Sequence, residues 1–222
     1  MDKEIKILAD NHKLDQLYQN NLFSIKSICE LLGVWNNYTP EQKNQLENLT
    51  RADSYINRNF NYKGDYDIKY TYGEVTRIGV ETLINSINKY KKITDKDVFV
   101  DIGSGSGKLL IHLSIKSNIK TFVGVEIVSQ RVLYSKWIKE KISPESSIFF
   151  IEKDIKDFDL SIANILFINL IFDKDLIKYI YDNAPKGCHI ISSNEIQECK
   201  ILKEVIKVSV SWGSINFYYY IK

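Results

Sequence analysis

The sequence predicts an α/β protein built on a parallel sheet with helices on both faces. Three observations carry that prediction. Strand and helix periods alternate from residue 70 onward, an apolar strand runs straight into a glycine-rich turn and a helix, and the C-terminal strands read as a hairpin. A chain of 222 residues suffices for one such core and a small additional subdomain.

The first 69 residues read as a helical N-terminal subdomain. Leu14, Leu17, Tyr18, Leu22, Ile25, Ile28, Cys29 and Leu32 recur at three- and four-residue spacing and make one apolar stripe. Gly33 stops that helix. Thr39-Pro40-Glu41-Gln42 supplies an N-cap, a proline at the first helical position and a capping-box partner, so a second helix starts there. The polar, tyrosine-rich stretch Asn59–Asp67 contains Gly64 and links into the core, residues 70–222.

In the core, Glu74–Tyr90 reads as a helix with Val80, Leu83, Ile84 and Ile87 on one side. Asp97–Ile102 is a short apolar run ending in the glycine-rich turn, followed by a helix through Leu109–Ile115. Strand Thr121–Ile127 and helix Val128–Lys141 come next. Further strands lie at Ser147–Ile151, Ile162–Asn169 and Cys188–Ser193, with a helix over Asp173–Asn183. The rhythm then breaks. Ile206, Val208, Val210 and Trp212 alternate with Lys207, Ser209 and Ser211, and Gly213-Ser214 reads as a tight turn into strand Ile215–Ile221. A terminal hairpin after five strand–helix units matches the seven-stranded, Rossmann-like architecture of class I methyltransferases. A nicotinamide-binding domain more often ends on another parallel strand.

Composition excludes several classes. Hydrophobic residues at 44% and charged residues at 26% are those of a soluble globular chain. The longest apolar run, around Ile165–Phe172 and interrupted by Asn169, is too short to span a bilayer, so no membrane partner is expected. Met1-Asp2-Lys3-Glu4 lacks the layout of a secretory signal. Cys29, Cys188 and Cys199 have no CxxC spacing and His12, His112 and His189 are scattered, so neither a metal site nor a disulfide framework is expected. With 30 Lys and Arg against 28 acids, the net charge of +2 advertises no global field for nucleic acid. Richness in Lys, Asn and Ile is explained by coding bias in an AT-rich genome.

The sharpest local signal is Val98-Phe99-Val100-Asp101-Ile102-Gly103-Ser104-Gly105-Ser106-Gly107-Lys108. Glycines are needed where a backbone turns tightly and approaches a ligand. Glu126 closes the next strand, where an acidic side chain accepts from the hydroxyls of an adenosine ribose. A P-loop fails, because three residues separate Gly103 from Gly107 and Leu109 follows Lys108. A dinucleotide fingerprint is weak, since Lys108 stands where glycine or alanine is wanted. Asp101, just before Gly103, fits the methyltransferase pattern near the ligand's methionine end. Asp154, after strand Ser147–Ile151, is placed to accept from an adenine amine, or else is a solvated loop aspartate.

Taken with these, several segments in order resemble the disruptor-of-telomeric-silencing family of histone H3 lysine methyltransferases. Tyr70-Thr71-Tyr72-Gly73-Glu74-Val75-Thr76 resembles its loop over the methionine end of S-adenosylmethionine. Asp101–Gly107 and Gly124-Val125-Glu126 resemble its two cofactor motifs, and Lys153-Asp154-Ile155 its Gly-Asp-Phe. Phe167-Ile168-Asn169 resembles the segment whose asparagine lies beside the acceptor lysine. Ile190-Ile191-Ser192-Ser193, then Val208–Gly213 and Tyr218-Tyr219, complete a match from about Tyr55 onward. Departures are Lys108 for a glutamine, Ile155 for a phenylalanine, and Leu170 for a second asparagine, with the segment through Phe172 one residue short.

The resemblance implies a cofactor site of Tyr72, Glu74, Val75, Asp101, Gly103, Ser104, Gly105, Gly107, Lys108, Glu126, Asp154, Ile155 and Asn169. It implies catalytic roles for Asn169, Tyr72 and Tyr218; for Asn169 the alternative is a strand cap, and for Trp212 core packing is favoured over a site role. The expected partner is the nucleosome, through histone H3 with DNA or histone-face contacts. The expected location is a nucleus, or a viral replication compartment in the cytoplasm. A minimal catalytic domain is expected, without the Lys-rich extension of large members. A small-molecule or other protein methyltransferase, and a non-catalytic nucleosome-binding module, are the competing readings. A DNA adenine methyltransferase would carry Pro-Pro-aromatic after Asn169, where Leu170-Ile171 stands. By chain geometry Lys63, Lys69, Arg77, Lys153 and Lys174 fall on the ligand edge, while Lys89, Lys91, Lys92, Lys136, Lys139 and Lys141 sit at helix C-termini away from it.

Overall fold

Core elements follow the chain as α1 (Arg77–Tyr90), β1 (Val98–Ile102), α2 (Lys108–Lys116), β2 (Thr121–Glu126), α3 (Ser129–Ile142) and β3 (Ser147–Glu152). Then come β4 (Ile165–Ile168), α4 (Lys174–Asn183), β5 (His189–Ser192), β6 (Leu202–Val210) and β7 (Gly213–Ile221). This computed structural model describes residues 74–142, 144–169, 174–210 and 213–222, together with 36, 39–41 and 43–44. The helix predicted over residues 14–32 and the link 59–67 lie outside the described residues. The predicted start at Thr39-Pro40 is among them: Pro40 is helical and the Lys43 N–H donates to the Thr39 carbonyl at 2.9 Å.

Seven strands form one sheet in the order β3-β2-β1-β4-β5-β7-β6. The first five pair in parallel, and β7 runs antiparallel to both β5 and β6. This is the Rossmann-like sheet that the alternation and the hairpin predict. Alternate residues of each strand feed opposite faces. On one face Phe99, Phe122, Phe167, Phe217 and Tyr219 pack with Val80, Leu83 and Ile87 of α1 and Leu110, Ile111 and Leu113 of α2. The Phe167 and Phe217 rings stack at 5.2 Å. On the other face Val100, Ile102, Leu166, Ile168 and Ile190 pack with Ile177 and Ile180 of α4. Fully burying one such side chain contributes about 1.5–3 kcal/mol, so both faces are needed to hold the sheet.

Most boundaries differ from the sequence reading by a residue, β6 begins at Leu202, ahead of the alternation that starts at Ile206, and other differences bear on the site. α1 begins at Arg77, not Glu74, because Thr76 stays extended and its hydroxyl accepts from the Gly79 N–H, while Val75 bridges Val210 of β6. The crossover from β3 to β4 is two 3-10 turns, Ile155–Asp157 and Leu160–Ile162, each capped by the preceding aspartate; Ile162 therefore belongs to a turn and not to β4. Residues 193–201 after β5 are irregular, so the hairpin does not follow five helical crossovers. Gly213 and Ser214 are strand residues paired with Val210 and Ser209; the connecting pair 211–212 lies outside the described residues.

Candidate functional site

The glycine turn sits at the carboxyl end of β1, where parallel α/β sheets bind ligands. Gly103, Gly105 and Gly107 have φ of 75°, 53° and 75°. Gly107 is also the N-cap of α2, and a Cβ there would stand 2.3 Å from the Phe150 ring, so no larger residue fits. The turn hangs on β2: the Gly103 and Ser104 N–H groups donate to the Val125 carbonyl at 2.8 and 3.1 Å. Gly124 makes room for it, since a Cβ there would lie 2.6 Å from Ser104 Oγ.

Glu126 ends β2 and is buried. Its Oε2 accepts from the Gly105 N–H at 2.9 Å and its Oε1 from the Val128 N–H at 2.9 Å. The buried Arg131 guanidinium stands 3.9 Å from Oε1. A carboxylate oxygen accepts more than one hydrogen bond, so Glu126 can fix the apex of the turn and still accept from ligand hydroxyls. Arg131 was not singled out from the sequence, because the helix pattern around it carries no signal for a buried cation.

Asp101 is buried on β1 beside Phe167 of β4, its register partner. Among the described residues none donates a hydrogen bond to it. Burial, and secondarily the Glu126 charge, push its carboxyl up to about 8. It lines a cleft with Glu74, Val75, Gly103, Ser104, Gly105, Ser106, Lys108, Leu109, Phe167 and Asn169. The cleft thus gathers most of the residues predicted for the cofactor, with Asn169 entering from the end of β4. Ser104 Oγ is buried there without a hydrogen-bond partner among the described residues.

Lys108 points its Nζ at Glu74, 3.0 Å from Oε1 and 3.1 Å from Oε2. Ser106 Oγ, which the sequence did not single out, also donates to Glu74 Oε1 at 2.9 Å. The remaining predicted residues lie elsewhere. Asp154 is exposed and its Oδ1 accepts from the Lys156 N–H at 2.9 Å, capping a 3-10 turn. Ile155 is buried in the apolar cluster of the α4 face. Tyr218 pairs with Ser192 at the carboxyl edge, on the sheet face opposite Asp101 and Phe167, and stacks on Tyr220. Tyr72 and Trp212 lie outside the described residues.

A buried carboxyl without a donor suits a cationic group, and an orphaned hydroxyl suits a polar one. Those are the demands that the methionine end of S-adenosylmethionine would meet, so these residues fit that cofactor. Comparison with known proteins bears on the same point. The family model described as histone methylation protein DOT1 matches residues 58–209. Carboxy-S-adenosyl-L-methionine synthase of Nautilia profundicola is 28% identical over 122 residues, covering 51% of this chain and 51% of that one. The chain therefore spans about half the length of that curated relative. An RNA methyltransferase of Salinibacter ruber, solved with S-adenosyl-L-homocysteine, superimposes with a TM-score of 0.50 at 15% identity, over 63% of this chain and 89% of that one. TrmN of Thermus thermophilus superimposes with a TM-score of 0.53 at 11% identity, over 64% of this chain and 48% of that one. At those identities the two solved structures bear on fold alone, and the fold is that of class I methyltransferases.

Proposed function

This chain belongs to the DOT1 family of histone methylation proteins, an S-adenosylmethionine-dependent methyltransferase domain, and on that footing we propose that it methylates the ε-amine of a lysine in the globular core of histone H3 on nucleosomes. The observation that carries the reading is the convergence of Asp101, the glycine turn and Asn169 on one cleft. When bound, S-adenosylmethionine supplies a methyl group activated by a sulfonium.

The rest falls to the chain's own residues. Asp101 would hold the cationic methionine end, and the carboxylate of Glu126 would accept from the ribose. Asn169 offers its side-chain carbonyl on the acceptor side, where in-line placement of nitrogen, methyl and sulfur is the main task. A free lysine has a pKa of about 10.4, so the acceptor must give up its proton. Apolar walls favour the uncharged amine by desolvation, and Val75 and Phe167 line the cleft. No strong general base is then needed.

Docking would use the carboxyl edge of the sheet. Lys153 follows β3 and Lys174 opens α4 there, both exposed, whereas Lys89 pairs with Glu204 and Lys91 with Asp97 away from that edge. Lys63 and Lys69 lie outside the described residues. We place the work of the protein where nucleosomes are, in a nucleus or a viral replication compartment. The test offers radiolabelled S-adenosylmethionine with nucleosomes, free histone H3 and cell extract side by side. Label on an H3 core lysine, much stronger on nucleosomes than on free H3, is the expected result. Label only on small molecules or other proteins overturns the substrate, and failure to bind S-adenosylmethionine overturns the enzyme reading in favour of a binding module.

A further inference from the structure

Lys108 stands among the residues implied for the cofactor, but its ammonium is directed at Glu74. Its ammonium lies within 3.1 Å of both oxygens of Glu74, and both side chains are only 9% exposed. Glu74 is not part of α1. It belongs to a short extended stretch that reaches across the rim of the cleft. One residue on, Val75 makes a bridge with Val210 of the hairpin. Next, the Thr76 N–H donates to the Ser209 carbonyl at 3.1 Å, and its hydroxyl donates to the same oxygen at 3.2 Å. Three residues later, α1 passes so close to that carbonyl that a Cβ on Gly79 would stand 2.3 Å from it.

The stretch 74–76 is thus fastened at two ends. The hairpin holds Val75 and Thr76 by backbone contacts. Across the cleft, the glycine turn and the first residue of α2 hold Glu74, through Ser106 and Lys108. The cleft wall includes Glu74 and Val75 as well as Lys108, so it takes its shape from this fastening. A buried carboxylate that loses its cation is stranded at a cost larger than the bond itself, which makes the latch cooperative with the position of the strap.

We propose that Lys108 is a positioning residue that clamps the 74–76 strap onto the glycine turn through Glu74, and so sets the width of the ligand cleft between β1 and that strap. It acts on the ligand through the wall it holds. The affinity arm of the test rests on the cofactor assignment above; the exchange arm does not.

The experiment is a double-mutant cycle of Lys108→Met, Glu74→Gln and the pair, read by two measurements, amide hydrogen exchange at Thr76 in the ligand-free chain and calorimetric titration with S-adenosylmethionine. Lys108→Met should speed Thr76 exchange about tenfold relative to amides of β1, because it removes the cation that holds Glu74. Adding Glu74→Gln to that variant should bring exchange back to within about threefold of the parent, since no charge is then stranded. Lys108→Arg should behave like the parent. Affinity should follow the same order, falling in Lys108→Met and recovering in the double variant. Unchanged Thr76 exchange in Lys108→Met overturns the clamp, and a loss of affinity in that case returns Lys108 to direct ligand contact. Losses that add in the double variant overturn it equally. Should Lys108→Met not fold, Lys108→Gln takes its place with the same outcomes. If the parent fails to bind S-adenosylmethionine, the cofactor assignment falls while the exchange arm still decides the clamp.

Discussion

Two buried aspartates stand four residues apart, one just ahead of β1 and one near its end, and their surroundings are opposite. Asp97, just ahead of the strand, accepts from the Thr94 N–H at 2.7 Å and the Thr94 hydroxyl at 3.0 Å, and Lys91 Nζ lies 2.8 Å from its other oxygen. Burial works to raise its carboxyl, but the bonds from Lys91 and Thr94 outweigh it and hold the group below the usual carboxylate range. Asp101, near the carboxyl end, receives no such bond among the described residues, and burial together with the Glu126 charge pushes it up to about 8. The difference teaches how one strand divides its labour. A satisfied buried carboxylate stabilises a fold, whereas an unsatisfied one facing a cleft costs stability and is kept for what it binds.

The largest expected effect separates the two. Asp101→Ala should weaken S-adenosylmethionine binding by about 1.5–3 kcal/mol, the worth of a hydrogen bond to a charged group, with little loss of folding stability. Asp97→Ala should do the reverse, lowering stability by about the same amount because Lys91 and Thr94 lose their acceptor, and leaving affinity unchanged. Calorimetric titration and denaturant melts on both variants decide this. Equal behaviour of the two would break the comparison.

The pH dependence sharpens it. Unfolded, Asp101 would release its proton near 3.9, whereas in the folded chain it keeps the proton up to about 8. Its contribution to stability is therefore fully present below about pH 4 and is lost as pH rises towards 8. Asp97 runs the other way: its contribution is present above the unfolded value and is lost as pH falls through its depressed one. Asp101→Asn should remove the decline of the ligand-free melting temperature between about pH 4 and about 8 and leave in place the decline at lower pH that Asp97 contributes. A cationic ligand favours the ionised carboxylate, so affinity should rise with pH up to about 8 and release up to one proton per ligand near neutrality. Titration in buffers of different ionisation enthalpy measures that proton, and its absence would remove Asp101 from the ligand's methionine end.

A second pair repeats the contrast on β4. Asn164, before the strand, accepts from the Val98 N–H through Oδ1 at 2.9 Å and stitches β4 to β1. Asn169, after it, faces the cleft. Asn169→Ala should lower turnover by about tenfold or more with cofactor affinity nearly intact, and Asn164→Ala should cost only stability, about 1 kcal/mol. Parallel losses of turnover and affinity in Asn169→Ala would make it a strand cap.

How much of this was legible depends on whether the signal is local. The glycine turn, Asp101 and Glu126 could be read from spacing, because a strand, a tight turn and a helix leave few residue choices in so short a stretch. The Lys108–Glu74 pair could not, since its partners are 34 residues apart and Glu74 looked like part of α1. Thr76 held the missed clue: a hydroxyl residue just before a helical run is an N-cap and moves the helix start past Glu74. Asp154 and Asp159 carried the same kind of signal for the two 3-10 turns between β3 and β4, where no helical period exists to be found. Arg131 and Ser106 gave no pattern at all, because their roles exist only once β2 and the turn are side by side.

The smallest effect concerns β7, where the contrast lies across the sheet. Tyr218 and Tyr219 are neighbours and so occupy opposite faces. Tyr219 is fully buried, its ring 5.1 Å from that of Tyr90, and its hydroxyl lies 2.9 Å from His189 Nδ1. Burial pushes its phenol above the ordinary range and lowers His189, so both groups stay neutral through the physiological range and their bond is one between neutral partners. Such a bond contributes about 1 kcal/mol, which is what Tyr219→Phe should cost in a denaturant melt, with turnover and affinity unchanged. Tyr218 is half-buried at the level of Ser192, the last residue of β5, and so stands at the edge where an acceptor would approach. Tyr218→Phe should leave stability within error and lower turnover on the preferred substrate. If Tyr219→Phe alone impairs turnover while stability holds, Tyr218 leaves the catalytic set.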